Sequence, residues 1–173
     1  VLENDFTLEN IHRVQHIFYH VPTDRLLIGT MADGFYVFDS QTRTLHNIGN
    51  LKDVTMNDVV IASPSHEEVL IATDGNGVYK LNMHTLELHQ DLSTLKTSGK
   101  MNGDIIKDIY MDEEGRKWMA VFPISITIHS DKYPKYEWFH QSGKDYHLLP
   151  NDQITSIIED SDGDIWAATS NGI

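Results

Sequence analysis

Ile154-Thr155-Ser156-Ile157-Ile158-Glu159-Asp160-Ser161-Asp162-Gly163-Asp164-Ile165-Trp166-Ala167-Ala168-Thr169-Ser170-Asn171-Gly172-Ile173 is the stretch that decides the fold. A β-branched apolar run ends in a polar turn with one glycine, a second apolar run follows, and another glycine closes it. Ile154, Ile157 and Ile158 also have the spacing of one helical face. The run is only about five residues long, which is ordinary for a strand and short for a helix. The stretch therefore reads as two antiparallel strands joined by a tight turn, with a third about to begin.

The same pattern recurs upstream. Shifted by 48 positions, Asp104 falls on Asp152, Ile106 on Ile154, Ile109 on Ile157, Asp112 on Asp160, Gly115 on Gly163, and Trp118 on Trp166. A shift of 43 aligns the N-terminal half, pairing Leu27 with Leu70, Thr30 with Thr73, Gly34 with Gly77, Tyr36 with Tyr79, and His46 with His89. Each copy adds a third strand, such as Phe35-Tyr36-Val37-Phe38 or Val78-Tyr79-Lys80-Leu81, then a turn opened by Asp39 or Asn82. A fourth strand runs through Leu45-His46, Leu88-His89 or Tyr136-Glu137-Trp138-Phe139.

Four short strands per period of 43 to 48 residues predict an all-β chain, a β-propeller fragment of about three and a half four-stranded antiparallel blades. The expected units are 1–54, with an N-terminal lead-in, then 55–100, 101–148, and 149–173 as the first half of a fourth blade. Leu27, Leu70, Trp118 and Trp166 share one repeat position, where a large side chain can fill the wedge between blades. Both tryptophans are accordingly expected to be largely buried. Gly29, Ala72, Ala120 and Ala168 lie two residues on, facing the same way, and would let the next blade approach. Such an arc leaves open faces and edge strands, so the chain reads as a fragment whose partners are the remaining blades or a second copy of itself.

The chain has 173 residues, 26 acidic side chains against 13 basic ones, a formal net charge of −13, and no cysteine. That surface repels nucleic-acid phosphates and anionic lipid, so neither a nucleic-acid partner nor direct membrane insertion is expected. No run approaches the roughly 20 apolar residues of a membrane span. No leader is visible at Val1-Leu2-Glu3-Asn4-Asp5.

The fourth repeat, together with Leu70-Ile71-Ala72-Thr73-Asp74-Gly75-Asn76-Gly77-Val78-Tyr79, resembles the two-component-regulator propeller repeat. Repeat one departs from it, having Val21-Pro22-Thr23-Asp24-Arg25 at its first turn, and repeat three has Val121-Phe122-Pro123-Ile124-Ser125 in place of Thr-x-x-x-Gly. The resemblance implies part of the extracytoplasmic, periplasmic sensor region of a hybrid two-component system in Bacteroides-like bacteria. It implies a non-catalytic segment that detects glycan-derived oligosaccharides, with a histidine kinase elsewhere in the parent chain. A protein-interaction scaffold and a propeller lyase or hydrolase are the alternatives.

The chemistry-bearing residues mostly fall at turn positions. Asp160-Ser161-Asp162-Gly163-Asp164 has its glycine fourth rather than sixth, which fits a hairpin turn better than a calcium loop. His12, His16 and His20 would share a face on a helix but not along a strand, so no metal site is assigned. No nucleophile stands beside a base, so no catalytic residue and no cofactor is assigned. Strand order puts the loop after each second strand and the loop between blades at one end. Asp33, Asp74, Asn76, Asn102, Phe122, Asn151 and Asn171 collect there as candidate ligand-binding residues, offering hydrogen bonds to sugar hydroxyls and one apolar platform. The Asp160 turn belongs at the other end and should be dispensable for binding.

Overall fold

The computed structural model describes residues 11–61, 66–93, 101, 103–123, 125–130, 137–139 and 149–173. Strands β1 (Val14–His20), β2 (Arg25–Thr30), β3 (Phe35–Asp39) and β4 (Thr44–Ile48) form the first sheet in chain order. A second sheet holds β5 (Met56–Ile61), β6 (Glu68–Thr73), β7 (Val78–Asn82) and β8 (Leu88–Leu92). The third holds β9 (Ile106–Met111), β10 (Lys117–Val121), β11 (Ser125–His129) and β12 (Glu137–Phe139). Finally β13 (Ile154–Glu159) pairs with β14 (Ile165–Thr169). Every pairing is antiparallel. The first strand of each sheet packs on the first strand of the next, β1 on β5, β5 on β9 and β9 on β13. These are the innermost strands of successive propeller blades.

Local chemistry sets the turns. Asp39 Oδ1 accepts the backbone N–H of Gln41 and Thr42, and Asn82 Oδ1 accepts those of His84 and Thr85. These short side chains mimic a backbone turn between third and fourth strands. Thr30, Thr73 and Thr169 donate their hydroxyls to the carbonyls of Gly34, Gly77 and Gly172. At Gly77, φ is +70° and a Cβ would stand 2.1 Å from the Leu92 carbonyl oxygen, so only glycine fits.

The core lies between blades. One cluster joins Leu27, Phe35 and Val37 of the first blade to Met56, Val59 and Ile71 of the second. Leu70, Ala72 and Val78 meet Ile106, Ile109 and Met119 across the next interface, and Ala120, Ile126 and Ile128 meet Ile154 and Ile157 across the last. Thus the anchor position points to the following blade, and alternate residues on the same strand point to the preceding one. The small residue two positions on controls the approach. A Cβ on Gly29 would come within 2.3 Å of the Met56 Cβ.

The expectation for the two tryptophans is corrected. Leu27 and Leu70 are wholly buried, but Trp118 is half-buried and Trp166 is 51% exposed. Trp118 faces a unit in which only β13 and β14 are described, and it stacks on Phe139 at a centroid distance of 6.4 Å. Trp166 faces outward with Ile158, on the side where the earlier blades have a following neighbour. Val14 and Ile17 are exposed in the mirror situation. Their repeat equivalents Met56 and Val59, Ile106 and Ile109, and Ile154 and Ile157 are all buried against a preceding blade. Burial at these positions is supplied by the neighbour.

Candidate ligand-facing surface

The loops after the second strands meet the inter-blade loops through backbone hydrogen bonds. Asp53 N–H donates to the Ala32 carbonyl, Asp74 to Thr55, Gly75 and Gly77 to Asp104, Phe122 to Ile105, and Ser170 to Gln153. The two loop sets therefore share one end of the blade arc. At that end the backbone N–H groups of Asp33, Asn76 and Asn171 donate to Thr30, Thr73 and Thr169 hydroxyls at 2.8, 3.1 and 3.2 Å. Local turn chemistry thus places three of the candidate residues at equivalent points of three blades. Asn151 is used in its own turn, its Oδ1 accepting Gln153 N–H. Asn102 lies outside the described residues.

The structure brings Asp74 and Phe122 together through a residue the sequence reading missed. Lys107 Nζ lies 3.0 Å from Asp74 Oδ1 and 5.8 Å above the Phe122 ring. The signal was present as a polar column at one inner-strand position: Gln15, Asn57, Lys107 and Thr155. Asn57 spends its amide on the Ile106 carbonyl at 2.7 Å, holding the second and third blades together. Gln90 Nε2 donates to the Asn76 carbonyl and steadies that turn. Asp33, Asn151 and Asn171 sit on other blades of the arc. The surface thus offers a carboxylate, an ammonium and an aromatic ring in one cluster, with the half-buried Asn76 on the same turn as Asp74.

The opposite end is built for structure. Asp112 Oδ2 accepts the Trp118 indole N–H at 2.8 Å and the Arg116 Nε–H at 2.5 Å, and its Oδ1 accepts two backbone N–H groups. Burial alone would raise this carboxyl, but the Trp118 and Arg116 hydrogen bonds outweigh it and hold it below the usual range. Asp160 repeats the arrangement, accepting the Trp166 indole N–H at 2.6 Å and the N–H groups of Asp162 and Asp164. The Trp166 bond leads the causes that depress its pKa. Both Asp160 oxygens are thus directed into the turn. Among the described residues no group of three His, Asp or Glu side chains could hold a metal ion. His20 instead bonds the Thr23 hydroxyl and the His66 carbonyl.

A groove of about 560 Å³ runs between the last two units, lined by Trp118, Ile126, Phe139, Leu149, Ile165 and Ala167 among others. In the other three blades the place beside the second strand holds the third strand. The groove's lining also includes the charged side chains of Asp112, Arg116, Glu159 and Asp164.

Residues 148–171 match the family described as two component regulator propeller. Comparison with curated proteins gives no match. Among solved structures, the chain is similar to the extracellular domain of the putative hybrid two component system BT4673 from B. thetaiotaomicron. Identity is 15% and the TM-score 0.70, covering 92% of this chain and 20% of that one. The corresponding domain of BT3049 from the same organism gives 19% identity and a TM-score of 0.68, covering 92% and 19%. The chain thus spans about a fifth of the length of these two. The WD40 β-propeller domain of Doa1 is also similar, at 13% identity and a TM-score of 0.64, covering 92% and 48%. Residues 148–171 carry a two component regulator propeller repeat, and the chain as a whole has the β-propeller fold.

Proposed function

We propose that this chain is a non-catalytic, ligand-sensing propeller segment of the periplasmic region of a hybrid two-component sensor. It takes glycan-derived oligosaccharides at the loop end that carries Asp74, Asn76, Lys107 and Phe122, and occupancy is relayed to a histidine kinase in the parent chain. The observation that carries this reading is the two component regulator propeller match at 148–171, seconded by fold likeness to extracellular domains of hybrid two-component systems. The chemistry of the loop end agrees with it. Amides and a carboxylate hydrogen-bond hydroxyls, and the Phe122 ring offers an apolar face to a sugar ring. The test is calorimetric titration of the parent protein's extracytoplasmic region with a panel of neutral and acidic oligosaccharides. Saturable binding of one class without turnover is expected. Cleavage of the sugar, or no binding across the panel, overturns the reading.

The partners of the open faces belong to the same proposal. Val14 and Ile17 at one end occupy positions that are buried at every internal interface, and Ile158 and Trp166 at the other occupy positions that are buried or partly buried there. Further blades of the parent sensor cover them, and the 173-residue chain alone self-associates through them. Sedimentation velocity should show a mass that rises with concentration. A monomer at all concentrations would contradict this.

A further inference from the structure

Each innermost strand has one residue that its ladder skips. It is Gln15 in β1, Asn57 in β5, Lys107 in β9 and Thr155 in β13. A bulge of this kind bends the strand and re-aims the side chain of the extra residue. In all four strands it falls at the second residue, so these side chains sit at the loop end. They share a place but not a chemistry, and Lys107 alone is charged.

A second repeat position meets the first. The residue immediately after the second strand is Met31, Asp74, Phe122 and Ser170 in successive blades. Lys107 reaches two of these at once, Asp74 Oδ1 of the preceding blade at 3.0 Å and the Phe122 ring of its own blade at 5.8 Å. The backbone of Ile105 fixes both. It forms a β-bridge with Asp74, and its carbonyl accepts the Phe122 N–H at 2.9 Å. The Asp74 N–H is held in turn by the Thr55 carbonyl at 3.0 Å. The frame is therefore set before any ligand arrives. The ion pair itself is open to water, its side chains 35% and 41% exposed, so it adds little to the blade interface.

We infer that Lys107, Asp74 and Phe122 select an uncharged ligand edge that both donates and accepts hydrogen bonds. Resting on the sensor reading above, that edge is two adjacent hydroxyls of a neutral sugar, not the acid group of a uronate or sulfated one. Lys107 gives one of its three N–H groups to Asp74, which takes it on Oδ1. The pair presents donors and an acceptor side by side, with its charges cancelled. One hydroxyl donates to the Asp74 carboxylate while its neighbour accepts from Lys107, and the half-buried Phe122 ring takes the C–H face of the sugar. A carboxylate or sulfate brings acceptors only. It would reach Lys107 only beside the Asp74 carboxylate, on a chain of net charge −13. A cationic group meets the same obstacle at Lys107.

The test is calorimetric titration of the parent sensor region with matched pairs of oligosaccharides, each a neutral hexose oligomer and the hexuronate of the same linkage, in the galactose and glucose series. The neutral member should bind at least about tenfold more tightly than its acidic partner. Lys107→Met should weaken the neutral sugar at least about tenfold. Asp74→Asn leaves the ammonium uncompensated and should narrow the neutral-over-acidic preference at least about tenfold. Unchanged urea midpoints would show that both variants keep the fold, and Lys107→Gln serves where Lys107→Met does not. Equal or tighter binding of the acidic member, or a neutral affinity and preference untouched by these substitutions, overturns this inference and leaves the sensor reading standing. No binding to any member overturns the sensor reading and this inference with it.

Discussion

Leu70→Ala is expected to destabilise the 173-residue chain by about 2–5 kcal/mol, whereas Trp166→Ala at the same repeat position should cost less than about 1 kcal/mol. Tryptophan is the larger residue, so side-chain size alone predicts the reverse. Leu70 is wholly buried between Ala72, Ile106 and Met119, and its removal opens a cavity that two sheets must relax around. Trp166 is 51% exposed, and its truncation removes surface already in contact with water. Urea midpoints at unchanged m-value measure both. Equal losses would show that the anchor position stabilises its own blade rather than the interface with the next.

Asp112→Ala should cost about 3 kcal/mol, and Asp160→Ala less than about 1 kcal/mol. The turns are alike, but Asp112 is buried and its loss removes the acceptor of the Trp118 indole N–H and of two backbone N–H groups together. Around Asp160 the same donors are open to water. The pH dependence follows from the lowered pKa of Asp112. A carboxyl held below its usual range contributes fully above its unfolded pKa, and the contribution fades as pH falls through the folded value. The gap in stability between wild type and Asp112→Ala should therefore be widest near pH 6 and shrink towards pH 3. A gap that stays constant would mean the aspartate acts only through turn geometry.

The repeat made the fold legible because a propeller imposes one rule on every second strand. A bulky residue must fill the wedge, and two positions later a small one must admit the neighbour. Leu27 with Gly29 and Leu70 with Ala72 satisfy that rule and are buried as expected. Trp118 and Trp166 satisfy it in sequence but not in exposure, because burial at that position comes from the adjacent blade, which the residue's own repeat does not encode. The indole hydrogen bonds of Asp112 and Asp160 were visible as a repeated aspartate six residues ahead of a tryptophan. Their meaning depends on the hairpin folding the two together. Lys107 stayed hidden for a related reason: it sits on a strand whose apolar residues dominate the pattern, and its partner Asp74 lies on another blade, 33 residues away in sequence.

The loop end carries the functional claim, and one binding measurement addresses it. Oligosaccharide titration of the parent sensor region should be repeated with alanine at Asp74, Asn76 and Phe122, and separately with alanine through the Asp160 to Asp164 turn. Affinity should fall at least about tenfold for the first set, the loss of roughly one or two hydrogen bonds and an apolar contact, and stay unchanged for the second. Unchanged affinity in the first set with loss in the second would place the ligand at the opposite end of the propeller.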